Sequence, residues 1–251
     1  MPVPNFRDFG GYPSRLGGQV VADRLYRSGG VANARPDAVD ALAAYDFELI
    51  VDLRYVLEQA HEPSPWPDAL RARVLAHDSN RQSAAPHLLV LENKATDPAM
   101  VDLHFTTYYR DLPFDARYRP MFGRVLTRMA DAQGRILVHC TAGKDRTGLI
   151  VALTHHILGV EPDEAMADFL LSSQAKGFSD QAEAWLPSVR EQYGYDVPVS
   201  VLQRLLGVQP EWLNTSFEEI RRVSGSVDAY LDEMGVDHGV RERLRQRYLV
   251  R

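Results

Sequence analysis

One decapeptide constrains this 251-residue chain more than any other feature: His139-Cys140-Thr141-Ala142-Gly143-Lys144-Asp145-Arg146-Thr147-Gly148, which holds its only cysteine. An apolar run, Ile136-Leu137-Val138, leads in and predicts a strand; Leu149-Ile150-Val151-Ala152-Leu153 leads out and predicts a helix. A loop passing from strand to helix presents unpaired backbone N–H groups where the helix dipole also favours negative charge. Arg146, in the first turn of that helix, can fork two N–H bonds onto oxyanion oxygens. The loop is therefore an anion cradle. The same field favours the thiolate of a cysteine at its base, the nucleophilic form. Gly143 removes a side chain where backbone must approach a ligand or take positive φ.

Two other readings of the stretch compete. A lone cysteine is usually an inert buried one, but glycine, arginine and the strand-to-helix context argue against that here. A nucleotide-binding loop ending in Gly143-Lys144 would need a glycine at Val138 and a Ser or Thr at Asp145, so it fails at both ends.

Cys140, five residues and Arg146 form a loop that resembles the signature of the cysteine-dependent protein tyrosine phosphatases. The Lys144-Asp145 pair makes it similar to the bacterial tyrosine, dual-specificity or lipid phosphatases. Asn5-Phe6-Arg7-Asp8-Phe9-Gly10-Gly11-Tyr12, Leu25-Tyr26-Arg27-Ser28 and Val51-Asp52-Leu53-Arg54 are similar to that group's upstream landmarks, in its order. The resemblance implies an α/β fold, with a central, mostly parallel sheet covered by helices and a helical lid. It also implies a cysteinyl-phosphate intermediate, no cofactor and no metal. Cys140 is then the nucleophile and Arg146 the phosphate clamp. Thr141, Ala142, Gly143 and Lys144 line the phosphate site, Thr147 donates to the sulfur, and His139 orients the loop. Asp145 is the favoured proton donor, and Asp52 the alternative unless it simply pairs with Arg54; Asp78 and Asp111 are weaker candidates. Lys144, unless it is an exposed, solvated residue, adds charge suited to phosphoinositides beside phosphotyrosine or phosphoserine/threonine. The competing class is a catalytically impaired relative that only binds phosphorylated ligands.

A net charge of −6 argues against a nucleic-acid binder, which needs a basic surface. One cysteine permits no internal disulfide, and no stretch approaches the ~18 apolar residues of a membrane span. Met1-Pro2-Val3-Pro4-Asn5 lacks the charged and apolar regions of a secretory signal, so the expectation is a cytoplasmic protein or one exported without a classical signal.

One domain over residues 1–251 is expected. Residues 5–18, rich in Gly and Pro, read as turns closing onto a strand pair at Val20-Val21 and Leu25-Tyr26. Phe47 to Leu53 predicts a strand buried on both faces, and Arg71 to Ala76 another. Ser79 to Pro98 reads as a loop or short helix. Helices are expected over 36–44, 99–112, 118–133 and 162–173, then over 201–206, 211–223, 227–234 and 240–248. Residues 162–195 form the candidate lid, with Phe178 and Trp185 on its apolar underside or in the core, and Pro187 interrupting it. His155-His156 reads as packing or surface, because adjacent helical residues do not face one site. Arg241, Arg243, Arg245 and Arg247 read as the solvated flank of a docked terminal helix.

Overall fold

The computed structural model describes the backbone of residues 3–78, 86–174 and 178–250, and their side chains except those of 86 and 178–182. Its centre is a five-stranded sheet of β1 (Arg7–Asp8), β3 (Leu25–Ser28), β4 (Leu49–Asp52), β5 (Val74–Ala76) and β6 (Ile136–His139). The spatial order is β1-β3-β6-β4-β5, and only the β1–β3 pairing is antiparallel. β3, β4 and β6 are buried along their whole length, as central strands with helices on both faces must be. The mostly parallel α/β architecture expected from the motifs is the one observed.

The helices before the central strand β6 are α1 (Pro36–Ala43), α2 (Val56–His61), α3 (Asp68–Arg71), α4 (Pro86–Glu92), α5 (Pro98–Asp111) and α6 (Tyr118–Asp131). After it come α7 (Asp145–Ile157), α8 (Pro162–Leu170), α9 (Phe178–Tyr193), α10 (Val199–Leu206), α11 (Pro210–Ser224), α12 (Val227–Glu233) and α13 (His238–Tyr248). Local chemistry sets several starts. Pro36, Pro98, Pro162 and Pro210 supply the fixed φ of a first turn. The side chains of Asp97, Ser226 and Asp237 accept from the N–H groups of Ala99, Ala229 and Val240. α6 buries Phe122, Val125, Leu126 and Met129 on one face, and α11 packs along α5, where Trp212 stacks on Phe105 at 4.6 Å between centroids.

Four expectations change. Val20 belongs to β2 (Gln19–Val20), which pairs antiparallel with β7 (Leu249–Val250) at the far end of the chain rather than with β3. The Arg71–Ala76 stretch is a strand only from Val74, because residues up to Arg71 close α3. Pro187 lies inside α9 and does not interrupt it. Arg241 faces inward, donating to Asp232 Oδ1 at 2.7 Å and Val236 O at 2.8 Å, while Val240, Leu244 and Tyr248 form the buried stripe as expected. Of the Ser79–Pro98 stretch, 86–92 is helical and Pro98 opens α5; residues 79–85 lie outside the described ones.

Candidate active site

Register builds the site. Ser28 and Asp52 both lie opposite His139, so the Leu25–Ser28, Val51–Arg54 and His139–Cys140 landmarks end together at the C-terminal edge of the parallel strands. That edge is where open α/β sheets bind ligands. The loop from Cys140 to Lys144 crosses it and enters α7 at Asp145. Gly143 adopts φ 69°, and a Cβ there would lie 2.2 Å from Ser28 O, so no other residue fits without shifting β3. The Thr141 carbonyl is tied backward by Gly30 N–H at 2.8 Å.

Cys140 is buried at the base of the loop. Arg146 is held in a fork: Nη1 donates to Glu58 Oε2 at 2.6 Å and Nη2 to Glu58 Oε1 at 3.0 Å. Nη1 also reaches Leu53 O and Tyr118 OH, each at 3.2 Å, and the guanidinium lies 4.9 Å from the centre of the Tyr55 ring. The Thr141 hydroxyl donates to Glu58 and accepts from Arg146 Nη2 at 3.2 Å. Burial pushes the Glu58 carboxyl upward, but the Arg146 charge and the hydrogen bonds outweigh it and bring it down to about 2.

Glu58 escaped the sequence reading. It lies four residues beyond Arg54, on a short helix whose apolar pattern is weak, and a lone glutamate there looks like surface. One local signal was available: Glu58 Oε2 accepts from Tyr55 N–H at 2.7 Å, a helix-start contact at the N3 position.

Asp145 opens α7, and its Oδ1 accepts from Tyr109 OH at 2.8 Å. Asp52 is different. Its carboxylate is 3% exposed and takes Arg54 Nε at 3.0 Å and Nη2 at 2.7 Å, so the expected ion pair forms and the carboxylate is spent within the sheet edge. Arg54 also donates to Glu62 O at 2.7 Å and Ser64 Oγ at 2.8 Å, and so ties down the segment after α2. Asp78 pairs with Arg124 at the surface, and Asp111 is exposed at the end of α5. Neither lines the pocket above the loop. His139 is fully buried, with Nδ1 3.4 Å from Cys140 O. Thr147 Oγ1 is buried without a hydrogen-bond partner among the described residues.

Lys144 is not solvated. Its Nζ donates to Leu205 O at 2.5 Å and Gly207 O at 2.9 Å, carbonyls at the C-terminal end of α10, and lies 5.1 Å from the Phe105 ring centre. Burial lowers its pKa, partly opposed by Asp145. His155 Nε2 lies 2.8 Å from Phe9 O inside the core and His156 pairs with Asp228, so the histidine pair is packing and surface. Among the described residues no group of His, Cys, Asp and Glu could hold a metal ion.

Above the loop opens a pocket of 960 Å³ floored by Thr141, Ala142, Lys144, Asp145 and Arg146. Val3, Phe6 and Ala34 contribute to one side, and His87, Tyr108, Leu171, Trp185 and Leu206 to the others. Burial, then the Lys144 and Arg146 charges, lower His87 to about 4, so it is neutral at pH 7. Trp185 is 42% exposed and lines this space rather than the core; Phe178, its proposed companion, lies outside the described side chains. The floor thus offers a forked cation and a carboxyl group, with the thiol of Cys140 buried at the base of the same loop, below a space much larger than a phosphate group.

A family model described as tyrosine phosphatase family matches residues 2–250. This chain belongs to that family. It is 33% identical over 248 residues to a Cupriavidus necator protein named "Putative tyrosine-protein phosphatase", the match covering 98% of this chain and 86% of that one. It is 25% identical over 269 residues to the triple specificity protein phosphatase PtpB of Mycobacterium tuberculosis, covering 96% and 95%. A tyrosine-protein phosphatase of Nostoc commune is 29% identical over 155 residues, 61% of this chain and 50% of that one. Among the described residues no helix is long and apolar enough to cross a membrane.

Proposed function

We propose that this phosphatase hydrolyses phosphomonoesters through a cysteinyl-phosphate, acting on phosphotyrosine proteins and extending to phosphoserine, phosphothreonine and phosphoinositides. The observation that carries this is the placement of Cys140 and Arg146 at the two ends of one loop that begins at the edge of three parallel strands, turns through Gly143 at φ 69° and puts Arg146 in the first turn of α7. Cys140 Sγ attacks phosphorus, the bond from phosphorus to the leaving oxygen breaks, and Asp145 supplies that oxygen with a proton. Arg146 and the loop N–H groups take the charge that develops on the equatorial oxygens. Water then attacks phosphorus and returns a proton to Asp145 as the S–P bond breaks. The unpartnered Thr147 hydroxyl is available to donate to the departing sulfur.

Breadth of substrate is supported by the size of the pocket and by the similarity to a relative named for triple specificity. Residues 162–195 act as part of a lid that continues into α10, since Leu171, Trp185 and Leu206 all line the pocket and Lys144 grips the end of α10. Phosphate release from phosphotyrosine, phosphoserine and phosphoinositide panels, with Cys140→Ser as control, tests the reading. Release from the first at least, abolished in Cys140→Ser, is expected. Asp145→Asn should depress turnover most for poor leaving groups and little for an activated aryl phosphate. No release from any panel with binding retained would make the protein a phospho-ligand-binding module instead.

A further inference from the structure

Two landmarks of the sequence, Asn5-Phe6-Arg7 and Leu25-Tyr26-Arg27-Ser28, supply no group to the chemistry above. They meet at the Gly143 carbonyl, Arg27 sealed behind the loop and Asn5 and Arg7 at the edge of the pocket. Arg27 Nη1 donates to Asp168 Oδ2 at 2.5 Å and its Nη2 to the Gly143 carbonyl at 2.9 Å. Arg7 grips the same carboxylate from the other side, Nε to Asp168 Oδ1 at 3.0 Å, and its Nη2 reaches Asp168 O at 2.7 Å. Arg7 Nη1 also donates to Asn5 Oδ1, which turns Asn5 Nδ2 toward the loop, where it donates to Gly143 O at 2.7 Å. Ser172 Oγ lies within reach of Asn5 Nδ2 at 3.3 Å and Arg7 Nη2 at 3.3 Å. Arg27 and Asp168 are 0% and 1% exposed.

A buried ion pair alone would be explained by the fold. Its extension to Gly143 O is not. In a planar trans peptide the carbonyl and the following N–H point in opposite directions. Two donors that draw the Gly143 carbonyl backward therefore aim the Lys144 N–H forward, into the cradle. With the Thr141 carbonyl also tied back by Gly30, the loop's acceptors face the protein and its donors are left for the anion. Two guanidiniums against one carboxylate also leave a positive charge behind the loop that nothing else in the cluster cancels.

We infer that Arg27, oriented through Asp168 by Arg7 and assisted by Asn5, is a positioning residue that sets the direction of a loop N–H by holding the Gly143 carbonyl. Because Asp168 lies in the last turn of α8 and Ser172 in the turn that lines the pocket, the same contacts tie the loop's geometry to the segment at the base of the lid. The inference rests on the phosphatase reading of the loop.

The test uses the full chain and two readouts, turnover of an aryl phosphate and binding of tungstate, an oxyanion that is not hydrolysed. Arg27→Lys keeps the charge for Asp168 but cannot fork to Gly143 O, and Asn5→Ala removes a donor without stranding a buried charge. Each is expected to lower kcat about tenfold or more with a smaller change in KM, and Arg27→Lys to weaken tungstate about tenfold, while the melting temperature of Asn5→Ala stays near wild type. Wild-type kcat and tungstate affinity in both variants would overturn the inference. If Arg27→Lys does not fold, Asn5→Ala decides alone. Wild-type protein that neither binds tungstate nor turns over would instead remove the phosphatase reading, which keeps the two failures apart.

Discussion

Two arginine–carboxylate clusters flank the loop, and they use the same chemistry to different ends. In front, Arg146 and Glu58 form a one-to-one fork, 5% and 17% exposed in their side chains, with Arg146 on the pocket floor. Behind, Arg27 and Asp168 are sealed at 0% and 1%, and Arg7, 16% exposed at the edge of the pocket, makes the count two cations to one anion. A guanidinium has five donors; the bonds to Glu58, Leu53, Tyr118 and Thr141 all use Nη1 and Nη2, so Arg146 can meet an arriving oxyanion through Nε or by exchanging a neutral partner while Glu58 still fixes its plane. Arg27 has no such access; no ligand can compete for it. A place on the pocket floor, rather than the strength of the ion pair, separates Arg146, which can act in turnover, from Arg27, which shapes the loop.

The sharpest way to break this contrast is to change each cluster conservatively and ask whether rate or stability responds. Arg146→Lys keeps the charge and loses the planar fork. Its kcat on an aryl phosphate is expected to fall about a thousandfold, near 4 kcal/mol of transition-state stabilisation, with the melting temperature little moved. Asp168→Asn keeps the shape and removes the counter-charge of two buried guanidiniums. Burial pushes Asp168 upward, but Arg27 and then Arg7 bring it below the ordinary carboxylate value, so the ionised form is what the fold holds. Its loss is expected to cost about 3–4 kcal/mol in urea unfolding. A stable Asp168→Asn protein, or an Arg146→Lys protein that unfolds while keeping its rate, would reverse the assignment of the two clusters.

What the sequence made legible follows from interaction range. β4 and β6 were readable because each is apolar up to its last residue, and Gly143 because the loop leaves no space for a side chain. The partners of charged residues were not. Lys144 looked like either a solvated or a substrate-facing lysine because the carbonyls that bind it, at Leu205 and Gly207, come some sixty residues later. Arg241 looked solvated although its acceptors are only nine and five residues away, because they lie on and just after α12, across the turn into α13. β2 looked like half of a local pair because turn residues precede it, yet its partner is β7, at the end of the chain. Asp52 and Arg54 were the exception, two residues apart, and their pairing was foreseen as one of two outcomes.

Glu58 offers the finest test, because its proton reports on the front cluster alone. Its carboxyl stands at about 2 in the folded protein against an ordinary 4.5. A carboxyl depressed on folding stabilises the fold above its unfolded value and loses that contribution as pH falls through the folded one. The window is therefore about pH 4.5 down to 2, and a shift of this size corresponds to about 3 kcal/mol. Asp168 and Asp52 are lowered too, so wild-type stability has more than one acid-side slope. Glu58→Gln removes only its own. The difference between the two stability–pH curves is expected to be largest at neutral pH, to shrink from pH 4.5 and to close toward pH 2, with the rear cluster's slope common to both. Curves that stay parallel across that window would mean that Arg146 does not hold the Glu58 proton off. The front cluster would then be as indifferent to protonation as an ordinary surface pair, and its contrast with the sealed cluster behind the loop would lose its electrostatic basis.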